Sequence, residues 1–196
     1  RFNSMIIFMI GSSSSFAQSI ISFLKEEHNV FQFGRKNLNY KNRQLLEKEF
    51  SKYPKPDVVI FNQQCATDDY TDYSQQIPKE ITASINNLVE DFIVSKLYIY
   101  DILKDAGRFV FITSSVTFWY DEKSIDVGKN KFFYRMFRAA ENELLKCICL
   151  EGTNAYGLCP GGMDDDPERY AKTLAKMAVS QDKELKGKIH FIGEHI

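Results

Sequence analysis

Residues 107–115 read Gly-Arg-Phe-Val-Phe-Ile-Thr-Ser-Ser, an apolar run that ends in hydroxyl side chains. A strand covered on both faces is continuously hydrophobic rather than alternating, so this run predicts a buried parallel strand. The stretch Asn130–Leu150 follows, and its apolar residues recur at helical spacing. Within it Tyr134 and Arg138 are four residues apart, which places them on one helix face. A hydroxyl at the end of a strand, facing a phenol paired with a cation, is an arrangement that can transfer a proton.

The rest of the chain alternates between the same two patterns. Apolar runs predict further strands at 5–10, 29–33, 57–62, 154–158 and 188–192, and helical periodicity predicts helices at 16–27, 42–53, 78–104 and 167–181. This alternation specifies a three-layer α/β/α sandwich with a mostly parallel, doubly wound sheet. The helical stretch at 78–104 carries the apolar residues Ile81, Ile85, Leu88, Phe92, Leu97 and Ile99.

Gly34–Lys36 close the second strand, and only Leu38–Tyr40 are then left before the next helix. A crossover to another parallel strand needs about a dozen residues. The sheet is therefore predicted to have six to seven strands, with any additional strand reduced to a stub at the sheet edge.

The length, charge and hydrophobic runs of the chain limit the classes of function that it can have. The 196 residues carry 25 basic and 26 acidic side chains, so no charge excess points to nucleic acid or an anionic membrane. No apolar run approaches the roughly 20 residues that span a bilayer, and the first residues lack the features of a signal peptide. Met5 is expected to be the natural start and residues 1–4 an added remnant. Residues 5–196 are predicted to form one cytoplasmic domain.

Metal ligation is not indicated. The four cysteines show no Cys-x-x-Cys spacing, and the three histidines are not grouped with them. The acidic run Asp164–Asp166 is compatible with a metal site, but carboxylates before Pro167 are typical of a helix start. No metal is predicted.

A strand, a small-residue turn and a helix follow one another at the start of the chain. The turn Gly11–Ser15 would present backbone N–H groups and a positive helix end to an anion, usually a phosphate. Serine obstructs close backbone approach more than glycine does, and a serine-capped helix start is the structural alternative.

Two basic residues, Arg35 and Lys36, follow the second strand. In a dinucleotide-binding fold this position reads the adenosine ribose, and a cation there favours a 2′-phosphate. The pair therefore favours NADP(H) over NAD(H), although two solvated basic residues in a turn are the alternative.

In this order the chain resembles the short-chain dehydrogenases/reductases, over nearly its whole length. The resemblance implies an NAD(P)-binding Rossmann-like domain, and it indicates which residues bind the cofactor and which are catalytic. The nucleotide-binding turn and the segments near the cofactor correspond to Gly11, Ser13, Ser14, Ser15, Phe16, Asn62, Gln63, Gln64, Pro160 and Gly161. The catalytic residues correspond to Ser114, Tyr134, Arg138 and Asn87, and Asn87 stands where the family has a helix asparagine that holds a catalytic water.

The chain departs from the family pattern at informative positions. Ser15 and Ala17 replace two glycines of the nucleotide-binding turn, and Arg138 replaces the active-site lysine. The resemblance implies that Tyr134 donates a proton to a carbonyl oxygen as hydride arrives from nicotinamide. Free tyrosine has a pKa of about 10 and needs a nearby cation to ionise near neutral pH. Arginine can supply that field and bind the cofactor ribose, but it cannot readily release a proton.

Three functions remain open. The leading one is an NADP(H)-dependent oxidoreductase that interconverts a carbonyl and an alcohol on a small molecule. The second is a non-catalytic dinucleotide-binding or regulatory protein with an eroded site, and the third is a sugar-nucleotide or isomerase-type enzyme on the same fold. Arg138 taken alone could equally be a surface arginine. The aromatic residues Phe118–Tyr120 would line a substrate pocket or belong to the core. The apolar faces of the two long helices predict a homodimer or homotetramer.

Overall fold

The computed structural model describes residues 4–34, 36–63, 89–114, 132–160 and 167–192. Its six strands are β1 Ile6–Ile10, β2 Asn29–Phe33, β3 Val58–Phe61, β4 Arg108–Ile112, β5 Ala155–Pro160 and β6 Ile189–Ile192. Its α-helices are α1 Ser15–Leu24, α2 Arg43–Phe50, α3 Ser95–Ile102, α4 Phe132–Leu150 and α5 Pro167–Ala178. A π-helical turn, Val89–Val94, leads into α3, and a 3₁₀ turn, Lys183–Leu185, precedes β6.

All six strands are parallel and lie in the order β2-β1-β3-β4-β5-β6. The chain moves outward from β1 to β2 and then crosses to the other side of β1, where it adds β3 to β6. The strand order thus reverses between β1 and β3, and in open α/β sheets ligands bind at such a point, outside the carboxyl ends of the strands. The predicted α/β/α architecture is confirmed.

Each strand contributes alternate residues to two apolar cores. One core lies against α1 and α5 and contains Val110 and Ile112 from β4. The other lies against α2, α3 and α4 and contains Phe109 and Phe111 from the same strand. Because both faces are covered, the strand is apolar at every position except its buried first residue, Arg108.

The short connection after β2 has the expected consequence. Among the described residues the sheet contains no strand beyond β2, which is its edge strand and is less buried than its neighbour β1. The count of six lies within the predicted range, and the predicted edge stub is not observed in this part of the chain.

The buried face of the helix before β4 includes polar residues. Leu97 is 43% exposed, whereas Ser95 and Lys96 are completely buried together with Phe92 and Ile99. Phe92 and Ile99 are seven residues apart and define the face toward the sheet, and residues 95 and 96 fall between them on that face. Leu97 lies on the opposite side of the helix and is exposed. The helix places two polar side chains in its apolar stripe.

Candidate functional site

The turn between β1 and α1 is tied to the ends of two neighbouring strands. Gly11 N and Ser12 N both donate to Phe33 O at the end of β2, at 2.7 and 3.1 Å. Ser14 is the N-cap of α1, and its Oγ accepts from Ala17 N at 3.1 Å. The serine cap considered from the sequence is therefore present, and it orients the first turn of α1 toward the carboxyl edge of the sheet. That helix end carries a partial positive charge that suits an anion.

Gly11 is required by its surroundings. Its φ is +84°, and a Cβ at this position would lie 2.6 Å from Gln63 N and 2.7 Å from Asn62 C. Asn62 Nδ2 in turn donates to Gly11 O at 3.2 Å and to Ser14 Oγ at 3.4 Å. The turn thus packs directly on the backbone that follows β3. The structure brings together Gly11, Asn62, Gln63 and Ser14.

The end of β2 forms the outer side of this turn. Gly34 lies so close to Ser13 that a Cβ would be 2.5 Å from the Ser13 Oγ. Asn37 organises the turn, because its Oδ1 accepts from Gly34 N at 2.7 Å and its Nδ2 donates to Gln32 O at 2.9 Å. Lys36 is exposed on this turn. Arg35, predicted with it to bind a ribose phosphate, lies outside the described residues.

Ser114 follows β4 and is partly buried. Thr113, which precedes it, donates its backbone N–H to Leu158 O at 2.9 Å, so the chain is held against β5 up to this point. The backbone of Tyr134 lies in the first turn of α4, one turn before Arg138, but its side chain is outside the described part of the structure. Asn87, Gln64, Gly161, Phe118–Tyr120 and Asp164–Asp166 also lie outside the described residues.

Arg138 is directed into the protein. Its side chain is 4% exposed, and its Nη1 donates to Ile112 O at 3.0 Å and to Glu141 Oε2 at 2.7 Å. The alternative of a surface arginine is therefore wrong. The guanidinium lies against Ile112, the last residue of β4, which is two residues before Ser114. It thereby connects the carboxyl end of β4 to α4.

Two charged residues that the sequence analysis did not select accompany Arg138. Glu141 Oε1 lies 3.3 Å from Lys96 Nζ on α3, and both side chains are completely buried. Lys96 Nζ also lies 3.4 Å from the centre of the Phe92 ring, and the Arg138 guanidinium carbon lies 5.6 Å from the same ring. We call Lys96, Glu141 and Arg138 the buried ionic cluster. The sequence signals are a glutamate three residues after Arg138 and a lysine inside an apolar helix face.

The buried polar layer continues on either side of the ionic cluster. Gln63 Nε2 donates to Ser95 Oγ at 3.3 Å, which connects the end of β3 to α3. Cys159 on β5 is buried, and burial raises the pKa of its thiol to about 11, whereas the nearby Arg138 cation acts in the opposite direction. Pro160, predicted to lie near the cofactor, ends β5 and pairs with Ile192 of β6.

Within the described ranges no three histidine, cysteine, aspartate or glutamate side chains are placed so that they could hold a metal ion. No helix in the same ranges is both long enough and apolar enough to cross a membrane. The donor set at the carboxyl edge consists of backbone N–H groups, hydroxyls, amides and cations. Such a set suits an anionic organic ligand.

The fold of this chain is similar to that of solved short-chain dehydrogenases/reductases. The protein lin1944 from Listeria innocua is similar over 97% of this chain and 100% of its own, with a TM-score of 0.75 and 14% identity. A short-chain dehydrogenase/reductase from Serratia marcescens is similar over 96% of this chain and 95% of its own, with a TM-score of 0.73 and 15% identity. A gluconate 5-dehydrogenase from Burkholderia cenocepacia, solved with NADP and tartrate, is similar over 98% of this chain and 94% of its own, with a TM-score of 0.74 and 11% identity.

At these identities the likeness shows the fold. The resemblance predicted from the order of the motifs is confirmed at that level. No protein-family model and no curated protein matches the sequence.

Proposed function

We propose that this chain is a divergent short-chain dehydrogenase/reductase that binds NADP(H) and interconverts a carbonyl and an alcohol on a small molecule. The observation that carries the proposal is the packing of the turn at Gly11 on Asn62 and Gln63, at the point where the strand order reverses. The proposed reaction residues Ser114, Tyr134 and Arg138 follow β4 or lie on α4, next to this edge.

The residues of this edge fit a dinucleotide. Ser13 and the N-cap Ser14 precede α1, and Ser15 and Phe16 begin it, so backbone N–H groups and the helix dipole there would hold the phosphates. Gln63 lies beside them with its Oε1 buried and without a hydrogen-bond partner in the described structure, so it could accept a bond from a ligand. Asn62, Gln64, Pro160 and Gly161 are proposed to complete the cofactor site. The nicotinamide, when bound, supplies the hydride.

The protein side chains are proposed to manage the proton. Ser114 would orient the substrate oxygen, and Tyr134 would donate a proton to it or remove one in the reverse direction. Arg138 would favour the phenolate form of Tyr134 and bind the cofactor ribose, and Asn87 would hold a water molecule. Because arginine does not release its proton near neutral pH, we expect slower or pH-shifted turnover relative to a lysine.

The preference for NADP(H) is proposed to come from Arg35 and Lys36. Titration of the purified protein with NADPH and NADH, followed by nicotinamide fluorescence, tests cofactor binding and preference together. We expect tighter binding of NADPH, and we expect the R35A/K36A variant to lose roughly tenfold in NADPH affinity with little change for NADH. The matched control is K25A, because Lys25 is exposed at the end of α1 that faces away from the site. Failure of the wild type to bind either dinucleotide would refute the proposal.

A non-catalytic dinucleotide-binding protein is the second candidate, and one observation favours it. Nη1 of Arg138 donates to Glu141 Oε2 and to Ile112 O, so this nitrogen serves contacts within the protein. A screen of carbonyl substrates with NADPH separates the two candidates. If NADPH binds and a substrate is turned over, Y134F should lower kcat at least about 100-fold, the size of a general-acid contribution. Unchanged turnover in Y134F would contradict the assigned role.

Assembly and location complete the proposal. We infer a homodimer or homotetramer formed through α3 and α4, in the cytoplasm, with no nucleic-acid partner. Leu97 and Leu150 are large apolar residues on these helices that remain exposed in the single chain, at 43% and 87%. Sedimentation at increasing dilution should show an oligomer that dissociates, and a monomer mass at every concentration would contradict this inference.

A further inference from the structure

β2 is the edge strand of the sheet, and part of its backbone points away from β1. Asn29 N donates to Met5 O at 2.9 Å, which shows that residues 29, 31 and 33 direct their backbone groups toward β1. Successive residues of a strand direct these groups to opposite sides. The N–H and C=O groups of Val30 and Gln32 therefore point outward, to the side on which the described sheet has no further strand.

Of these four outward groups, one has a hydrogen-bond partner among the described residues. Gln32 O accepts from Asn37 Nδ2 at 2.9 Å, which agrees with its outward direction. A carbonyl oxygen has two lone pairs, so it can accept a second hydrogen bond. Val30 and Gln32 are partly buried, and a strand placed beside them would complete the hydrogen bonds of their backbone.

β2 lacks the features that usually prevent an edge strand from pairing. Its sequence, Asn-Val-Phe-Gln-Phe, contains no proline and no charged residue. It pairs with β1 at five consecutive positions, so no bulge interrupts it. Natural edge strands are commonly blocked by such features, because an unprotected edge adds a strand from another chain. The outer side of β2 is therefore suited to strand addition.

The charges beside β2 select the direction of an added strand. Glu26 lies five residues before Phe31, the central residue of β2, and Lys36 lies five residues after it. Both side chains are exposed, and the charges of Lys25 and Glu27 beside Glu26 cancel. In a two-fold antiparallel pair centred on Phe31, the end with Glu26 meets the end with the partner's Lys36, and this happens twice. A parallel pair would bring like charges together, so a second copy of this chain fits in the antiparallel direction.

We propose that β2 binds β2 of a second copy of this chain, in an antiparallel pair whose two-fold axis passes beside Phe31, so that the two sheets become continuous. Val30 pairs with the partner's Gln32, and Gln32 pairs with the partner's Val30, through backbone hydrogen bonds in both directions. This inference goes beyond the proposed function, because it uses neither the surfaces of α3 and α4 nor a bound dinucleotide.

Phe31 gives this pair an apolar centre. Its side chain is partly buried, and its ring centroid lies 5.0 Å from that of Tyr53 and 5.9 Å from that of Phe8. Residues opposed in a pair without hydrogen bonds are about 4.5 Å apart at Cα, so the two Phe31 side chains come into contact. The paired segment is short, so we expect a weak association that depends on concentration.

Sedimentation equilibrium without nucleotide, from roughly 1 µM to roughly 300 µM protein, measures this association. Val30→Pro removes an outward N–H without removing a bond to β1, and edge strands accept proline at such a position. V30P should weaken association at least about tenfold, because each dimer loses two hydrogen bonds. V30A is the matched control, because it keeps the N–H and should associate within about twofold of the wild type.

A charge exchange tests the direction of the pair. E26K and K36E each place like charges at both ends of the antiparallel pair, so each should weaken self-association about three- to tenfold. In an equimolar mixture each variant supplies the charge that the other lacks, so mixed dimers should form with nearly the wild-type affinity. Both substitutions are at exposed positions, so they keep the inference testable if V30P fails to fold.

Hydrogen exchange locates the contact. The amides of Val30 and Gln32 should exchange more slowly at high protein concentration than at low, whereas the amide of Phe31 points toward β1 and should be slow at both. Protection of Val30 and Gln32 that is the same at every concentration would show that the edge is covered within one chain, and it would overturn the inference.

The outcomes are distinct from those of the proposed function. A V30P chain with half the mass of the wild type at the same concentration supports the inference, whether or not α3 and α4 form a second interface. Three results overturn it: a wild-type monomer at every concentration, equal association of V30P and V30A, or a mixture of E26K and K36E that associates no better than either alone. Failure to bind NADPH or NADH refutes the proposed oxidoreductase and leaves these results standing.

Discussion

Gly11 combines a left-handed backbone with close packing, and both restrict the side chain at this position. Its φ of +84° is in the left-handed region, and a Cβ would meet the backbone of Asn62 and Gln63 at 2.6–2.7 Å. Gly152 has nearly the same φ, +86°, but a Cβ there would meet nothing within 4 Å. The two glycines therefore separate the effect of backbone conformation from the effect of close packing.

We expect Gly152→Ala to lower the free energy of unfolding by about 1 kcal/mol, the typical penalty for a left-handed alanine. Gly11→Ala should lower it by more than about 2 kcal/mol, because the strand end must also move. Urea denaturation of both variants gives the comparison. Equal losses in the two variants would show that the contact with Asn62 and Gln63 is not tight.

The buried thiol of a single residue, Cys159, makes the free energy of unfolding depend on pH. Its thiol has a pKa of about 11 in the folded protein and 9.0 as the unperturbed value, because burial disfavours the thiolate. Between these values the folded state binds more protons than the unfolded state, so stability falls as the pH rises from about 9 to about 11.

Comparison of the wild type with Cys159→Ala isolates this contribution. Between pH 8 and pH 10 the wild type should lose roughly 1 kcal/mol more unfolding free energy than the variant does. Cys147→Ala is the control, because Cys147 is exposed on α4. Parallel pH profiles for wild type and Cys159→Ala would contradict the expectation.

At the scale of elements, α4 carries two glutamates that each pair with a cation three residues away. Glu141 pairs with Arg138 in the interior, and Glu143 pairs with Lys146 at the surface, where both side chains are more than half exposed. Surface pairs contribute little, whereas removal of one partner from a buried pair leaves an uncompensated charge.

Glu141→Gln should therefore reduce the free energy of unfolding by roughly 3 kcal/mol, and Glu143→Gln by less than about 0.5 kcal/mol. Both substitutions keep the size and the helix propensity of the side chain nearly constant, so the difference reports on burial and charge. Urea denaturation at pH 7 measures both. A Glu141→Gln variant as stable as Glu143→Gln would show that the interior tolerates the two cations without a carboxylate.

The same helix shows what the sequence could and could not predict about the site. The Arg138 position was recognised because Tyr134 stands four residues before it, and helical spacing is a local property. Its orientation toward Ile112 and Glu141 was not predicted, because that depends on how α4 packs against β4. Lys96 was missed for the same reason, since a lysine in a helix is usually solvated and only the packing of α3 buries it.

At the scale of the whole molecule, the architecture was predictable because continuous apolar strands and alternating helices admit few arrangements. The edge position of β2 followed from the few residues between it and α2, since a further crossover does not fit. What the sequence did not determine is the distribution of buried charge. Several of the buried polar and charged side chains lie near the carboxyl ends of β3 and β4, and Gln63, Thr113 and Arg138 are examples.

In the parallel sheet all proposed ligand-binding segments lie at the carboxyl ends of the strands and none at the amino ends. This difference between the two ends, called here the carboxyl edge and the amino edge, gives a prediction for the molecule as a whole. The segments at Gly11–Phe16, Asn62–Gln63 and Thr113–Ser114 follow strands and lie at the carboxyl edge, whereas Lys25–His28 and Glu151–Asn154 precede strands and lie at the amino edge. At 100 times its dissociation constant, a dinucleotide should add about 2.7 kcal/mol of stability, which raises the Tm by roughly 5–10 °C for a chain of this length.

Hydrogen exchange with saturating NADPH should slow at the carboxyl-edge segments and stay unchanged at the two amino-edge turns. Slower exchange at both edges would indicate general stabilisation without a local site, and slower exchange at the amino edge alone would place the ligand away from the point where the strand order reverses.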